Sequence, residues 1–220
     1  MRKITAWYCC MRLVPSKNES AALIVGPKGA GKTTTLLELV CKFDFEFMSG
    51  DKTFIWVEDG KFMAAGWPDY PHLGIGTLFK YPKLMEKLQL SDPSELSQGD
   101  MWSTKEKIVV DPRVFREIIP HTAQGTVCPV GSFIYPYLYP SDTCNIVPME
   151  DHANLMAEHI ERVFEVGIRQ WNQFVQPKNM KSPVKTVQLC IDSARKIPAY
   201  QITGSGYLDD ISILTSHEKR

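Results

Sequence analysis

This chain of 220 residues has no excess of either charge. Twelve basic and twelve acidic residues occupy its first hundred positions, and thirteen of each occupy the rest. It has no run of the roughly 18 to 20 apolar residues that a membrane-spanning helix requires, and no apolar block after Met1 that ends in a small-residue cleavage site. The balanced charge argues against a nucleic-acid partner. The missing apolar segments argue against a membrane partner, so we expect a cytoplasmic protein.

The cysteines and histidines lack the spacing of metal or disulfide frameworks. The six cysteines form no C-x-x-C pair and no finger-like arrangement, which argues against a zinc module and predicts reduced core or boundary thiols. The five histidines share no metal-binding spacing. We assign no functional role to any of them, including His152 and His159, which are expected at surface or boundary positions of a long helix.

Repeats, low-complexity tracts and long linkers are also absent. We therefore expect residues 1–220 to form a single domain, because 44% hydrophobic residues are enough for one core. Apolar patterning predicts strands over 21–25, 45–48, 53–57, 61–65, 107–110, 127–135 and 200–203, and helices ending near Lys42 and over 148–176 and 184–196. Asp59-Gly60 predicts a hairpin turn, and Pro129 suggests that 127–135 is an edge strand.

One motif is specific. The run Gly26-Pro27-Lys28-Gly29-Ala30-Gly31-Lys32-Thr33 fits G-x-x-x-x-G-K-[ST] at every fixed position, and it lies between the predicted buried strand and an amphipathic helix. Glycines in such a loop let successive backbone N–H groups converge on one anion at the positive end of the helix dipole. The expected ligand is therefore a nucleotide phosphate, bound by residues 26–34 including Thr34.

The motif also predicts roles for its side chains. Lys32 would reach the β- and γ-phosphate oxygens of ATP, and the Thr33 hydroxyl would bind Mg²⁺. Lys28 projects from the same loop, where a solvated lysine is the simpler interpretation. No Asn/Thr-Lys-x-Asp signature is present, which disfavours a Ras-like GTPase.

Phosphoryl transfer also needs an acidic residue near the loop. Asp51, Asp111 and Asp192 each follow a strand-like run. Asp192 is better explained as a polar position on a helix, and Asp111 as an N-cap before Pro112. We favour Asp51, because parallel strands in such a sheet end on the side of the phosphate loop.

Together these residues resemble the HPr kinase/phosphorylase-like group of P-loop proteins, which is related in fold to phosphoenolpyruvate carboxykinases. The resemblance covers the loop, the segments 47–52, 66–68 and 73–77, and the hairpin at Asp59-Gly60. It implies an α/β nucleotide-binding domain whose mixed sheet has a parallel core, an antiparallel hairpin and flanking helices. It also implies a kinase that moves the γ-phosphate of ATP to a hydroxyl of a protein serine, a peptide or a small metabolite, with Asp51 serving the metal or the proton transfer.

Three departures separate this chain from that family. The family's aspartate pair is replaced by Gly50-Asp51, its histidine upstream of the loop is missing, and its arginine-containing stretch reads Tyr70-Pro71-His72. These differences argue against phosphorylase activity and favour a diverged relative, such as the kinases of natural-product or modified-peptide pathways. The acceptor is not encoded, and assembly into a homo-oligomer is left open.

A rival function and two weaker signals stay open. The same loop would also serve an ATPase or nucleotide switch that gates a partner protein without phosphorylating it. Arg113 and Arg116 could clamp phosphate, although a solvated or ion-paired role is simpler. The aromatic run 133–140 could line an acceptor pocket or partner surface, or equally pack in the core.

Overall fold

A computed structural model describes residues 7–9, 12–15, 20–66, 70–89, 107–161 and 183–215. Its strands are β1 Trp7–Cys9, β2 Arg12–Pro15, β3 Ala21–Ile24, β4 Thr53–Glu58, β5 Lys61–Gly66, β6 His72–Gly74, β7 Lys107–Val109, β8 Val127–Leu138, β9 Cys144–Pro148, β10 Ile160–Glu161 and β11 Ala199–Gly204. Its helices are α1 Lys32–Lys42, α2 Ile75–Phe79, α3 Pro82–Lys87, α4 Pro112–Ile118, α5 Ala153–Glu158, α6 Pro183–Ala194 and α7 Ser212–Thr215.

The protein is an α/β structure built on a mixed sheet with flanking helices. The nine-stranded sheet runs β10-β1-β4-β5-β8-β11-β9, and β3 joins it between β2 and β8. Strands β3, β8 and β11 are parallel to one another, whereas the β4–β5 hairpin is antiparallel. Strands β6 and β7 form a separate antiparallel pair. The predicted combination of a parallel core and an antiparallel hairpin is confirmed.

Strand β8 lies at the centre of this sheet, so the prediction of an edge strand over 127–135 is wrong. Its first residues pair with β5, its middle pairs with β3 and its last half pairs with β11. Pro129 is tolerated because β11 pairs only from Phe133 onward, so β8 has one described strand neighbour at the proline. The strand that pairs with β8 changes along its length, and the position of a proline in the sequence does not reveal such changes.

The sheet separates two apolar clusters. Alternate residues of β3 and β8 point to opposite faces, so Leu23 and Phe133 belong to one cluster and Ile24 and Ile134 to the other. The first cluster, here called the α6 face, includes side chains of α5 and α6. The second, here called the α1 face, includes side chains of α1 to α4 and α7. No helix within the described ranges has both the length and the apolar character needed to cross a membrane.

The hairpin follows its predicted geometry. Glu58 pairs with Lys61 across a two-residue loop, and both loop residues have positive φ, 51° at Asp59 and 76° at Gly60. These values match the type I′ turn that an Asp-Gly pair favours, because its twist fits the twist of the two strands. This local signal is therefore confirmed, as are helices α1 and α6 and strand β11.

The predicted helix over 148–176 is wrong where it can be compared. Pro148 ends strand β9 and pairs with Tyr200, and the helix found there, α5, runs only from Ala153 to Glu158. Ile160 then pairs with Cys9 in a short antiparallel ladder. Strand pairing at both ends overrides the helical spacing of the apolar residues, and residues 162–176 lie outside the described part of the chain.

The predicted strand over 45–48 is also wrong. This segment has single bridge residues rather than a continuous strand, and one of them, Phe47, bridges in parallel to His121. Its two hydrogen bonds there join Phe47 N to Pro120 O at 2.7 Å and Thr122 N to Phe47 O at 3.0 Å. The Phe47 ring packs edge-on against Phe115, with 4.9 Å between centroids. Aromatic packing against α4 and backbone hydrogen bonds to residues 120–122 thus hold the segment.

The described cysteine side chains are free thiols. Cys128 and Cys190 are buried in the α6 face, where burial raises the pKa of Cys128 to about 11 and that of Cys190 to about 12. Such thiols stay protonated near neutral pH and are poor nucleophiles. The expectation of reduced core thiols is confirmed for these two.

His152 is a core residue rather than the surface or boundary residue that we expected. Its Nε2 lies 3.0 Å from the Ile197 carbonyl oxygen, which can only accept, so Nε2 carries the proton. Tyr135 Oη lies 3.1 Å from both Nδ1 and the His152 carbonyl oxygen. These contacts tie the start of α5 to β8 and to the end of α6.

We expect His152 to make stability depend on pH. Burial lowers the pKa of His152 below its usual value near 6.5, so the unfolded chain takes up a proton before the folded one does. The contribution of His152 to stability should therefore be constant above about pH 6.5 and fall as the pH drops toward the folded-state pKa, by about 1.4 kcal/mol per pH unit. Urea unfolding between pH 8 and 5 measures this slope. His152→Gln should reduce it by one proton equivalent, and an unchanged slope would contradict the assignment.

Candidate functional site

The loop of residues 26–33, here called the glycine loop, connects buried strand β3 to α1. Gly29 has φ +89° and Gly31 has φ +99°, and Gly31 is the N-cap of α1. Ala30 N donates to Pro27 O at 3.3 Å, which closes a turn inside the loop. The strand, loop and helix predicted from the motif are present, with glycine at the positions where the backbone is left-handed.

The Lys32 side chain folds back over this loop. Its ammonium donates to Gly26 O at 2.6 Å and to Pro27 O at 2.8 Å. Lys28 is exposed, and Thr33 is half-buried. The ammonium therefore lies against the loop backbone, where an anion drawn to the N–H groups would meet a positive charge.

Strand β8 is hydrogen-bonded to the glycine loop and to the residue that precedes it. Val25 N donates to Ile134 O at 2.8 Å, and Leu138 N donates to Ala30 O at 3.1 Å. The chain is therefore attached to the second half of the central strand just before the loop, at Val25, and again within the loop, at Ala30. Ligands of open parallel sheets bind at the C-terminal end of the strands.

Gly31 leaves no room for a side chain. An added Cβ would lie 2.9 Å from Leu138 Cβ, whereas a Cβ on Gly29 would meet nothing within 4 Å. Both positions have a φ that strains alanine, but overpacking adds a cost of roughly 1–3 kcal/mol at Gly31 only. We expect Gly31→Ala to lower the free energy of unfolding by about 1–3 kcal/mol more than Gly29→Ala.

Urea unfolding of the two glycine variants measures that difference. Because both substitutions add one methyl group at a left-handed glycine of the same loop, Gly29→Ala is a matched control for backbone strain. Equal losses in the two variants would show that Leu138 does not restrict the loop.

A buried carboxylate fixes the helix that follows the loop. Glu38 on α1 is 2% exposed, and it accepts hydrogen bonds from Leu208 N at 3.0 Å and from Tyr81 Oη at 3.2 Å. Lys42 on the next turn forms an ion pair with it. A buried charge with several donors holds a fixed geometry, so α1 is anchored to the residue that precedes α3 and to the segment after β11.

The site residues Thr34 and Asp51 both contact the segment of β6 and α2. Thr34 Oγ1 lies 3.0 Å from Thr77 Oγ1, with both side chains buried. Asp51 Oδ2 lies 3.8 Å from His72 Nδ1. His72 and Thr77 are five positions apart in the chain, in β6 and α2. Asp51 and the first turn of α1 therefore contact the same short segment.

Asp51 lies in a turn rather than at the end of a strand. The buried Ser49 hydroxyl donates to Lys52 O, which closes the turn over residues 49–52 just before β4. The Asp51 side chain is 35% exposed. The expectation that Asp51 ends a strand parallel to β3 is wrong, because the bridge at Phe47 and the turn at Ser49 place it instead.

The other two aspartates take the structural roles predicted for them. Asp111 caps α4 by accepting from Arg113 N at 2.8 Å and also pairs with the Arg113 side chain. These hydrogen bonds lower the pKa of Asp111. Asp192 is exposed on α6, bonded to Gln188 and Arg195. Arg113 is therefore ion-paired, and Arg116 is exposed on α4.

Two histidines without a predicted role lie beside predicted site residues. His159 directly follows α5, and its pKa is lowered first by burial and then by the positive charge of Lys32. Sequence patterning placed His159 inside a long helix, whereas α5 ends at Glu158. The position of His159 beyond the helix end was therefore not predicted. His72 Nδ1 is a buried atom with no hydrogen-bond partner among the described residues. Its only sequence signal was its place in the Tyr70-Pro71-His72 stretch.

The two predicted metal ligands of the site, Thr33 and Asp51, are oxygen donors. No three His, Cys, Asp or Glu side chains come together as a metal site in the part of the chain that the structure describes. Mg²⁺ is usually held by one or two carboxylates together with substrate phosphates and water. The Thr33 hydroxyl and the Asp51 carboxylate are donors of the kind that this ion accepts, so the residues fit it only together with a phosphate ligand.

Comparisons with protein-family models and with curated proteins identify no relative of this chain. No protein-family model matches the chain, and no curated protein shows a significant match to it. The functional conclusion therefore depends on the glycine loop, Lys32, Asp51 and the residues around them.

Proposed function

We propose that this protein is a Mg²⁺-dependent kinase of the P-loop class that transfers the γ-phosphate of ATP to a hydroxyl group. The acceptor would be a small molecule or a peptide or protein serine. The observation that carries the proposal is the glycine loop itself, with two left-handed glycines and the Lys32 ammonium against its backbone. The resemblance to HPr kinase-like proteins supports the same reaction and a cytoplasmic location.

The loop residues would bind and orient the nucleotide. Backbone N–H groups over 28–33 would hold phosphate oxygens at the N-terminus of α1. On binding, Lys32 would exchange its two carbonyl contacts for phosphate oxygens and stabilise the charge on the group being transferred. The Thr34 hydroxyl contacts Thr77, so Thr34 would bind phosphate through its backbone N–H and orient α1 through its side chain.

Thr33 and Asp51 would hold Mg²⁺ together with the phosphates. When bound, the ion neutralises charge on the β- and γ-phosphate oxygens. Asp51 is also the candidate to accept the proton of the acceptor hydroxyl as its oxygen bonds to phosphorus and the bond to the departing ADP breaks. Asp51 would serve both of the roles that the family divides between two aspartates, unless another residue replaces the second acid.

The test is transfer from γ-labelled ATP with Mg²⁺ into two fractions of a host extract, whole protein and deproteinised small molecules. Label in one fraction, lost on replacing Lys32 or Asp51, would support a kinase and identify the acceptor class. Release of labelled inorganic phosphate without a labelled acceptor would contradict the kinase proposal. It would favour the ATPase or switch that gates a partner protein.

A further inference from the structure

Two exposed tyrosines border the residue that holds the glycine loop. Leu138 N is bonded to Ala30 O, and Tyr137 and Tyr139 are its neighbours in the chain. Their Cα atoms are each one step, about 3.8 Å, from Leu138. Tyr137 is 64% exposed and Tyr139 is 47% exposed, although tyrosine side chains usually bury most of their ring.

The two rings contact each other. Because side chains alternate along a strand, Tyr137 points to the α6 face, opposite Leu138, and Tyr139 directly follows the end of β8. Leu138 itself packs with the α1 face. The ring centroids of the tyrosines lie 6.0 Å apart at an interplanar angle of 58°. A cross-strand bond from Tyr139 N to Gly204 O at 2.9 Å fixes the backbone.

The aromatic run 133–140 thus has a buried first part and an exposed second part. Phe133 and Tyr135 are buried on the same face, where core packing accounts for them. Tyr137 and Tyr139 lie past the core and beside the loop. We propose that they form a stacking platform for the base of the nucleotide whose phosphates the glycine loop binds.

The chemistry of the two tyrosines and of the glycine loop indicates a nucleotide base as the ligand. A nucleotide held by its phosphates brings a flat aromatic base within reach of the loop's surroundings, and bases stack on tyrosine rings. Stacking needs no hydrogen bonds to base edges, so it contributes affinity without choosing between bases. This inference rests on the proposed function, since it requires that the loop bind nucleotide phosphate.

Calorimetric titration with two ligands tests the platform. Wild-type protein is titrated with ATP and with inorganic tripolyphosphate, both with Mg²⁺, and so are Tyr137→Ala and Tyr139→Ala. We expect at least one alanine variant to lose roughly 5- to 150-fold in affinity for ATP, with tripolyphosphate affinity unchanged. Tyr137→Phe, which keeps the ring, should bind ATP like the wild type.

The other outcomes overturn the platform in distinguishable ways. Unchanged ATP affinity in both alanine variants would leave the loop as a phosphate site and place the base elsewhere. Equal losses for ATP and tripolyphosphate would mean that the tyrosines shape the loop. Failure of the wild type to bind either ligand would overturn the proposed function together with the platform.

Discussion

Lys32→Ala should reduce phosphoryl transfer by roughly two to three orders of magnitude, as expected when a preorganised charge on the transferring group is removed. In the structure the ammonium is bound to the carbonyls of Gly26 and Pro27 and so lies across the loop. A phosphate bound to the loop N–H groups, as proposed, would lie close to the Lys32 charge. The rate of transfer from γ-labelled ATP into the acceptor fraction measures the loss.

Lys28→Ala is the matched control for the lysine. Both substitutions remove one positive charge from the same loop, but Lys28 is exposed, whereas Lys32 is bonded to the loop carbonyls. We expect its loss to be roughly tenfold or less, because an exposed charge is screened by solvent. Similar losses in the two variants would indicate a general electrostatic attraction and contradict a specific role for Lys32. Circular dichroism should show that both variants are folded.

Asp51→Asn should reduce phosphoryl transfer by roughly two or more orders of magnitude while ATP still binds. The substitution preserves shape but removes the charge that would hold Mg²⁺ and the base that would take the acceptor proton, a contribution of about 10²–10⁴. Asp51 contacts His72, on the segment that also contacts Thr34. The transfer rate and the affinity for ATP, measured on the same preparation, separate catalysis from binding.

Asp111→Asn is the control for this change. Asp111 also follows a strand, but it caps α4 and pairs with Arg113. Asparagine is an equally good N-cap, so both stability and transfer should be preserved. Normal transfer by Asp51→Asn would exclude that residue from the reaction. His72 or His159 would then be the next side chain to replace.

Local signals were sufficient where a few neighbouring residues determine the conformation. The glycine loop, the Asp59-Gly60 turn and the Asp111 cap before Pro112 were all predicted and found. In each case the backbone has few alternatives, because glycine permits left-handed φ, proline restricts φ, and a short side chain can satisfy a free N–H.

Pairing partners could not be predicted in the same way. Pro129 suggested an edge, yet β8 is the central strand, since three different strands pair along its length. Residues 148–161 had helical spacing, yet strand pairs formed at Pro148 and Ile160. Whether an apolar residue packs from a strand or a helix depends on partners far away in the chain, which local propensity does not contain.

The amino-acid sequence by itself determined the α/β class, the glycine loop between a buried strand and a helix, and the candidate residues Lys32, Thr33 and Asp51. Only the tertiary structure decided that Thr34 meets Thr77, that Asp51 meets His72, and that His159 lies within the field of Lys32. The first group depends on dihedral preferences and spacing within about a dozen residues. The second depends on how the two faces of the sheet are covered, which is a property of the whole packed chain.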